Sequence, residues 1–298
     1  MKPKLLLHPE KWSNATAFFL EPLFDKYFER VLIDDSKTYN PKECLVFSHW
    51  IDSDWTNKWR DLGFKVAIDH LWDPIGEEPG CDLLVRPGNW FCRANESLWY
   101  KALGYDSYVR KPNISKTFLL FMRLHRDYRD WIYDRIDLSD SIHSYHARGI
   151  ELNYADDLVE SETWQRHLNP DWYNITNFSL IVESTIDPWP IGHSEKTWKP
   201  MAYYHPFITW APVDSLKELR NQGFQTFDHV IDESYDSEPD HHKRLDMISE
   251  QANRLRNVEL TDDETNKRCR HNHDLFFDTA WSERQFYQNL FEPMLNLL

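Results

Sequence analysis

Short apolar runs alternate with amphipathic stretches from the first residues onward, and this alternation constrains the fold more than any other feature. Lys4 to His8, Val31 to Asp34, Cys44 to His49, Lys65 to Leu71 and Cys81 to Arg86 read as strands. Between them, Ala15 to Arg30 sets Phe18, Phe19, Leu23, Tyr27 and Val31 at three- and four-residue spacing, and Asp54 to Leu62 is a helix capped by Asp52 or Ser53 and ended by Gly63. Strand and helix in this rhythm predict a mostly parallel sheet wound with helices. The pattern breaks in the polar stretch Lys111-Pro112-Asn113, and a second series starts with Thr117 to Met122. It continues with a helix from about Arg126 to Ile136, a strand near Ser141 to His146 and a loop-rich stretch to Asn177. A strand at Phe178 to Glu183, a helix at Glu195 to Tyr204, a strand at Pro206 to Trp210 and a helix from Asp214 closed by Gly223 complete it. From His241 on, the periodicity is helical. The expectation is two Rossmann-like α/β domains, residues 1–113 and then residues 114–280, with residues 281–298 as a C-terminal helical segment.

A length of 298 residues suits two domains, and 14 Trp, 14 Tyr and 17 Phe supply large side chains for two cores. No apolar stretch approaches the roughly 20 residues of a membrane span, and Met1-Lys2-Pro3-Lys4 does not lead into a signal-peptide core, which predicts a cytoplasmic protein. The four cysteines lack CxxC spacing and read as reduced thiols. A net charge of −15 repels a phosphate backbone and argues against nucleic acid as a general partner. Asp52-Ser53-Asp54 fits the Asp-x-Asp pattern of cation-dependent transferases but is already explained as a helix cap. His241-His242 and His271-x-His273 lack further ligands at zinc spacing and read as surface histidines, and the acidic stretch Asp232 to Asp240 reads as a solvated loop.

The segment that carries chemistry is Asn177 to Glu183, a loop through Gly192-His193, and then Ser194-Glu195-Lys196-Thr197-Trp198-Lys199. A buried strand delivers a carboxylate at its carboxyl end, and a helix opens on a capping serine followed at once by Glu and Lys. In a wound sheet the ligand crevice lies outside the carboxyl ends of the strands, beside helix amino termini that favour phosphate. A departing diphosphate needs cations and N–H donors, and a ribose needs a carboxylate to hold its hydroxyls. Lys196 and Glu195 offer one of each, although an ordinary helix can carry the same two residues as solvated first-turn charges.

These residues resemble the donor-site signature of the α-1,3-fucosyltransferases, in which a Phe-x-Leu-x-Phe-Glu-Asn-Ser strand precedes Thr-Glu-Lys at a helix start and then a Pro-Val strand. Here the counterparts are Phe178-Ser179-Leu180-Ile181-Val182-Glu183-Ser184-Thr185, Ser194-Glu195-Lys196 and Pro206-Phe207-Ile208. Leu216 to Phe227 and Asp232 to Asp236 also look like uncharacterised fucosyltransferase-like proteins of large viruses and phages. Ser184-Thr185 replaces the family's Asn-Ser, and the loop from Ile186 to His193 has no family counterpart. The resemblance implies a GT-B glycosyltransferase, its C-terminal helix (residues 281–298) packing back on the first domain, that takes sugar from a nucleoside-diphosphate donor, GDP-fucose-like, to the hydroxyl of a glycan or lipid-linked saccharide, inverting and without metal or other cofactor. It implies that Glu195 contacts the ribose, Lys196 the diphosphate, and Glu183 the sugar or the hydrogen-bond network of the site. Arg123, after the strand Phe118 to Met122, would hold phosphate, with Arg126 in reserve; Ser194 and Lys199 complete the donor set. Asp127 and Asp130 are the partners these arginines would have as a plain surface cluster.

An inverting transfer needs a general base, which the implied GT-B arrangement would supply from the first domain or the cleft. Asp69 and His70 are the choice here, over His49 and over Glu96, which the sequence places in a loop after Arg86-Pro87-Gly88-Asn89-Trp90. Two other readings fit the same residues: a non-catalytic nucleotide-sugar or glycan-binding protein with Trp and Tyr as stacking platforms, and a transferase acting on hydroxylated bases of phage DNA.

Overall fold

The computed structural model describes residues 2–7, 17–34, 36–48, 53–69, 80–85, 89–151, 169–186 and 193–298. The chain divides into two compact units, Met1–Trp99 with Thr279–Leu298, and Tyr100–Asp278.

In the first unit, β1 (Lys4–Leu7), β2 (Glu29–Leu32), β3 (Cys44–Ser48), β4 (Lys65–Asp69) and β5 (Leu83–Val85) form an all-parallel sheet in the order β2-β1-β3-β4-β5. Leu5, Leu6 and Leu7 are all buried, as expected of strands covered on both faces. On one face Leu6, Val46, Val66 and Ile68 pack with Trp59 and Phe64. Trp59 comes from α2 (Ser53–Asp61), whose end shows why Gly63 stands where it does. Gly63 takes φ 85°, so its N–H reaches the Arg60 carbonyl and the Phe64 N–H the Trp59 carbonyl, which turns Phe64 back onto the sheet.

The helix α1 spans Ala17–Tyr27 and α3 spans Asn89–Ala102. The second was not expected, and it corrects the reading of Glu96 as a loop residue. Glu96 lies inside α3, 2% exposed, and accepts a bond from Asn95 Nδ2. Arg93, Asn95, Glu96 and Ser97 are as buried as Phe91, Cys92 and Ala94, so no polar face reveals the helical period. The helix α10 (Thr279–Phe286), a π-helical turn (Tyr287–Phe291) and α11 (Glu292–Leu295) belong to this unit: Phe291 packs edge-on against Phe24 at 4.9 Å, and Phe286 lies 5.4 Å from Trp90.

In the second unit, β6 (Lys116–Met122), β7 (Ser141–Tyr145), β8 (Thr176–Val182) and β9 (Phe207–Trp210) form a parallel sheet in the order β7-β6-β8-β9. The helices are α4 (Asp127–Arg135), α5 (Pro170–Ile175), α6 (Glu195–Ala202), α7 (Ser215–Asn221), α8 (His241–Arg254) and α9 (Asp263–Phe276). Every residue of β8 is buried. On α6, Trp198 is fully buried and stacks on Phe276 of α9. The short α5, capped by the Asn169 side chain and opened by Pro170, occupies part of the stretch read as loop. The acidic stretch is not a solvated loop. Asp236 is buried and accepts from the Leu216 and Lys217 N–H groups at the start of α7, and Glu233 accepts from Thr226 Oγ1 and the Phe227 N–H. Of the histidines, His242 and His271 are exposed, the first lying against Trp131, while His273 is buried against Tyr204. Among the described residues no helix is long and apolar enough to cross a membrane.

His205 ties the starts of β8 and β9 together and makes stability depend on pH. Its Nε2–H donates to the Thr176 carbonyl at 3.0 Å, which leaves Nδ1 to accept from Ser179 Oγ at 2.8 Å. Burial, with the Arg110 charge adding to it, pushes its pKa well below the usual histidine value. The unfolded chain therefore takes up a proton below about pH 6.5 that the folded chain refuses, so this stability is complete above that pH and is lost as pH falls. The expected slope is about 1.4 kcal/mol per pH unit for one such histidine. Urea midpoints between pH 7.5 and 5.5 are expected to fall, and to fall less in His205→Gln; equal slopes in the two proteins would exclude this source.

Candidate functional site

The strand order of the second sheet reverses between β6 and β8: the chain leaves β6 for β7 on one side and returns to β8 on the other. A crevice outside the carboxyl ends is expected at this switch point. Arg123 directly follows β6, and Glu183 directly follows β8. The Glu183 N–H donates to the Trp210 carbonyl, so Glu183 extends the pairing of β8 with β9 at the carboxyl end of the sheet.

The Glu183 carboxylate, 2% exposed, organises the loop and helix that follow. Oε1 accepts from the Ser194 N–H at 3.1 Å and Thr197 Oγ1 at 2.6 Å; Oε2 accepts from Ser194 Oγ and from the Ser184 N–H at 3.2 Å. Four donors fill the acceptor capacity of one carboxylate. Ser194 is the N-cap of α6, and its Oγ accepts from the Lys196 N–H. A buried acid at the end of one strand thus holds the first turn of the next helix, so that helix start is fixed to the sheet.

Glu195 and Lys196 project from this turn as an ion pair of 2.7 Å, each side chain about one-fifth exposed. Lys196 Nζ also donates to Ser184 Oγ at 3.1 Å and Ser194 Oγ at 3.3 Å. Burial alone would raise the Glu195 pKa, but the charges of Lys196 and Lys199 and the Lys196 hydrogen bond outweigh it and bring it down to about 2. Glu195 is therefore an anion under all ordinary conditions. The site combines a fixed carboxylate, a lysine held in reach of the crevice, and the amino end of a helix, a combination able to accept from hydroxyls and to neutralise an anion.

Two further residues, Tyr128 and Arg129 of α4, tie down the chain that follows β8. Tyr128 Oη donates to the Ser184 carbonyl at 2.6 Å and the Glu183 carbonyl at 3.2 Å. Arg129, 3% exposed, donates to the Leu124 carbonyl at 2.9 Å and the Glu183 carbonyl at 3.3 Å, so it spans the loops after β6 and β8. The sequence reading stopped at Arg123 and Arg126. No signal in the sequence marks Arg129, because it reaches across two loops that only the folded sheet makes neighbours.

No protein-family model matches the chain, and no curated protein matches it. A crystal structure of an α1,3-fucosyltransferase does match, with a TM-score of 0.54 over 99% of this chain and 88% of that one, at 13% sequence identity. The two proteins share a fold. That fold is the GT-B kind, α/β with two parallel sheets.

Of the residues singled out in the sequence, Glu183, Ser194, Glu195 and Lys196 form one hydrogen-bonded group. Lys199 sits one turn further along α6, near enough to act on Glu195. Arg123 and Arg126 lie on the neighbouring β6–α4 connection with exposed side chains; the Arg123 carbonyl accepts from the Ala147 N–H, and Arg126 Nη1 donates to the His125 carbonyl. Asp130 pairs with His125 and Arg148 instead of with these arginines. Asp69 is the last residue of β4, and His70 lies outside the described residues. The first sheet reverses between β1 and β3, one strand away from Asp69; the residues after those strands, 8–16 and 49–52, are also outside the described set, His49 among them.

Proposed function

We propose that the chain is a glycosyltransferase whose donor, a nucleoside-diphosphate sugar, binds at the carboxyl edge of the second sheet. The observation that carries this reading is the Glu195–Lys196 pair, held on a helix start at the sheet's switch point by the buried Glu183. The fold it shares with an α1,3-fucosyltransferase supports it. In this reading Glu195 accepts from the ribose hydroxyls, while Lys196, Arg123 and the α6 amino terminus take up the charge that grows on the leaving diphosphate, with Lys199 and Arg126 adding positive potential. Glu183, whose acceptor sites are filled from within the protein, positions Ser194 and is not the base. The base that takes the acceptor hydroxyl's proton is assigned to Asp69 or His70 of the first unit. The donor is GDP-fucose-like, the acceptor a glycan hydroxyl, and the transfer inverting and metal-independent.

Thermal shift against GDP, UDP, CMP and dTDP sugars, with and without magnesium, tests the donor site, because a ligand that binds only the folded state raises its apparent stability. One nucleotide class is expected to stabilise the protein with or without magnesium and to yield transferred sugar with a glycan acceptor. Binding without any turnover would make the protein a nucleotide-sugar binder, and no shift with any donor would remove the reading.

A further inference from the structure

The residue before the N-cap of α6 is His193, and it is 2% exposed. Its Nε2–H donates to the Ser215 carbonyl at 3.1 Å, and the Nδ1 lone pair on the other side of the ring is buried without a hydrogen-bond partner among the described residues. Ser215 opens α7 and is itself fixed, with its N–H and Oγ both donating to the Pro212 carbonyl. The start of α6 is therefore held from two directions: Glu183 grips Ser194 from the end of β8, and His193 anchors the residue before it to α7.

We propose that His193 is a positioning residue for the donor site, that only its neutral form holds the start of α6 in place, and that protonation at Nδ1 releases that start. This inference rests on the donor-site reading above. A proton on Nδ1 would make a buried donor with no acceptor facing it among the described residues. The carboxylate that acts on the ring most strongly is Glu183, and its acceptor sites are already filled by Ser184, Ser194 and Thr197. The new N–H either stays unbonded or displaces Ser194 from Glu183, and both weaken the cap on which Glu195 and Lys196 stand. Glu183 from β8, Glu218 from α7 and Asp236 from the turn at Glu233–Ser237 all draw the proton toward the ring, while burial, with Trp198 edge-on at 5.8 Å, opposes it. Burial prevails, so the pKa lies below the usual histidine value and the neutral form is the one present at neutral pH.

The test measures dissociation constants for GDP-fucose, UDP-glucose and dTDP-glucose by calorimetry from pH 5 to 8 in wild type, His193→Gln, His193→Phe and Lys196→Ala, with melting curves confirming that each is folded. These diphosphate diesters do not titrate in this range, so a change in affinity belongs to the protein. Wild type is expected to bind its donor more and more weakly as pH falls from 6.5 to 5, with a loss at pH 5.5 smaller than the roughly tenfold that a histidine of ordinary pKa would give. The Gln side chain can donate to the Ser215 carbonyl and cannot take up a proton, so His193→Gln is expected to restore most of the affinity at pH 7.5 and to flatten the pH profile. His193→Phe, without a donor, is expected to bind roughly tenfold more weakly throughout. An acid loss of the same size in His193→Gln overturns the role of His193 while leaving the donor site standing, provided Lys196→Ala still weakens binding about tenfold or more. Failure of wild type to bind any of the three sugars at any pH overturns the donor site and this inference with it.

Discussion

Lys196→Ala is expected to lose nucleotide-sugar binding while the protein stays folded. Lys196 Nζ donates to Glu195, Ser184 and Ser194, all part of the crevice rim, and in the proposed complex it turns from these toward the diphosphate. A hydrogen bond to a charged partner contributes about 1.5–3 kcal/mol, a factor of roughly 10 to 100 in affinity. Where the charge develops only in the transition state, removing a donor lowers the rate constant by about 10² to 10³. Lys196→Ala is therefore expected to reduce kcat/KM by at least about 10² and to raise the donor dissociation constant tenfold or more. Stability should change by only about 1 kcal/mol, because the pair is partly exposed and Lys199 still acts on Glu195. Calorimetry and melting curves on the same samples separate the two effects, and wild-type turnover in this variant would remove Lys196 from the mechanism.

Glu183→Gln is expected to do the reverse, damaging the fold of the second unit and the site together. The substitution preserves shape and removes one charge, so the argument turns on donors. Backbone N–H groups sit against both oxygens, Ser194 on Oε1 and Ser184 on Oε2. A glutamine has one oxygen and one NH₂, and whichever way the amide is turned, one backbone N–H faces another donor. The hydroxyls of Ser194 and Thr197 can rotate; the backbone cannot. A buried donor left unsatisfied costs about 1–3 kcal/mol, and the mutual repulsion adds to it. A loss of roughly 2–4 kcal/mol in urea denaturation is expected, with donor affinity reduced as the helix start loosens. Unchanged stability would mean that the carboxylate does not hold α6.

The wound α/β architecture was legible because its strands are short continuous apolar runs: Leu5-Leu6-Leu7, Leu45-Val46-Phe47 and Phe178 to Val182 lie where the sequence placed them. The helix stops at Gly63 and Gly223 were equally readable, since both take φ values that suit only glycine. Helices buried on all sides were not. In α3, Arg93, Asn95 and Glu96 are polar and buried at once, which hides the period that reveals an amphipathic helix. The six-residue α5 is too short to show any period. At the site, Ser194, Glu195 and Lys196 could be read because cap, acid and base are consecutive in the chain. Arg129 could not, because its importance comes from turning back across two loops that only the folded sheet makes neighbours. The same holds for Glu233 and Asp236, whose burial depends on the N–H groups of Phe227, Leu216 and Lys217.

Amide hydrogen exchange, with and without a saturating nucleoside-diphosphate sugar, tests the central claim most directly because it reports where the ligand lies as well as whether it binds. The donor is predicted to slow exchange in the segment after β6 that holds Arg123 to Arg129 and in Glu183 to Thr197 through the first turn of α6, and at a sugar concentration that just saturates wild type this protection is predicted to fall sharply in Lys196→Ala. Slowed exchange confined to other parts of the chain, or unchanged by the loss of Lys196, would contradict the account.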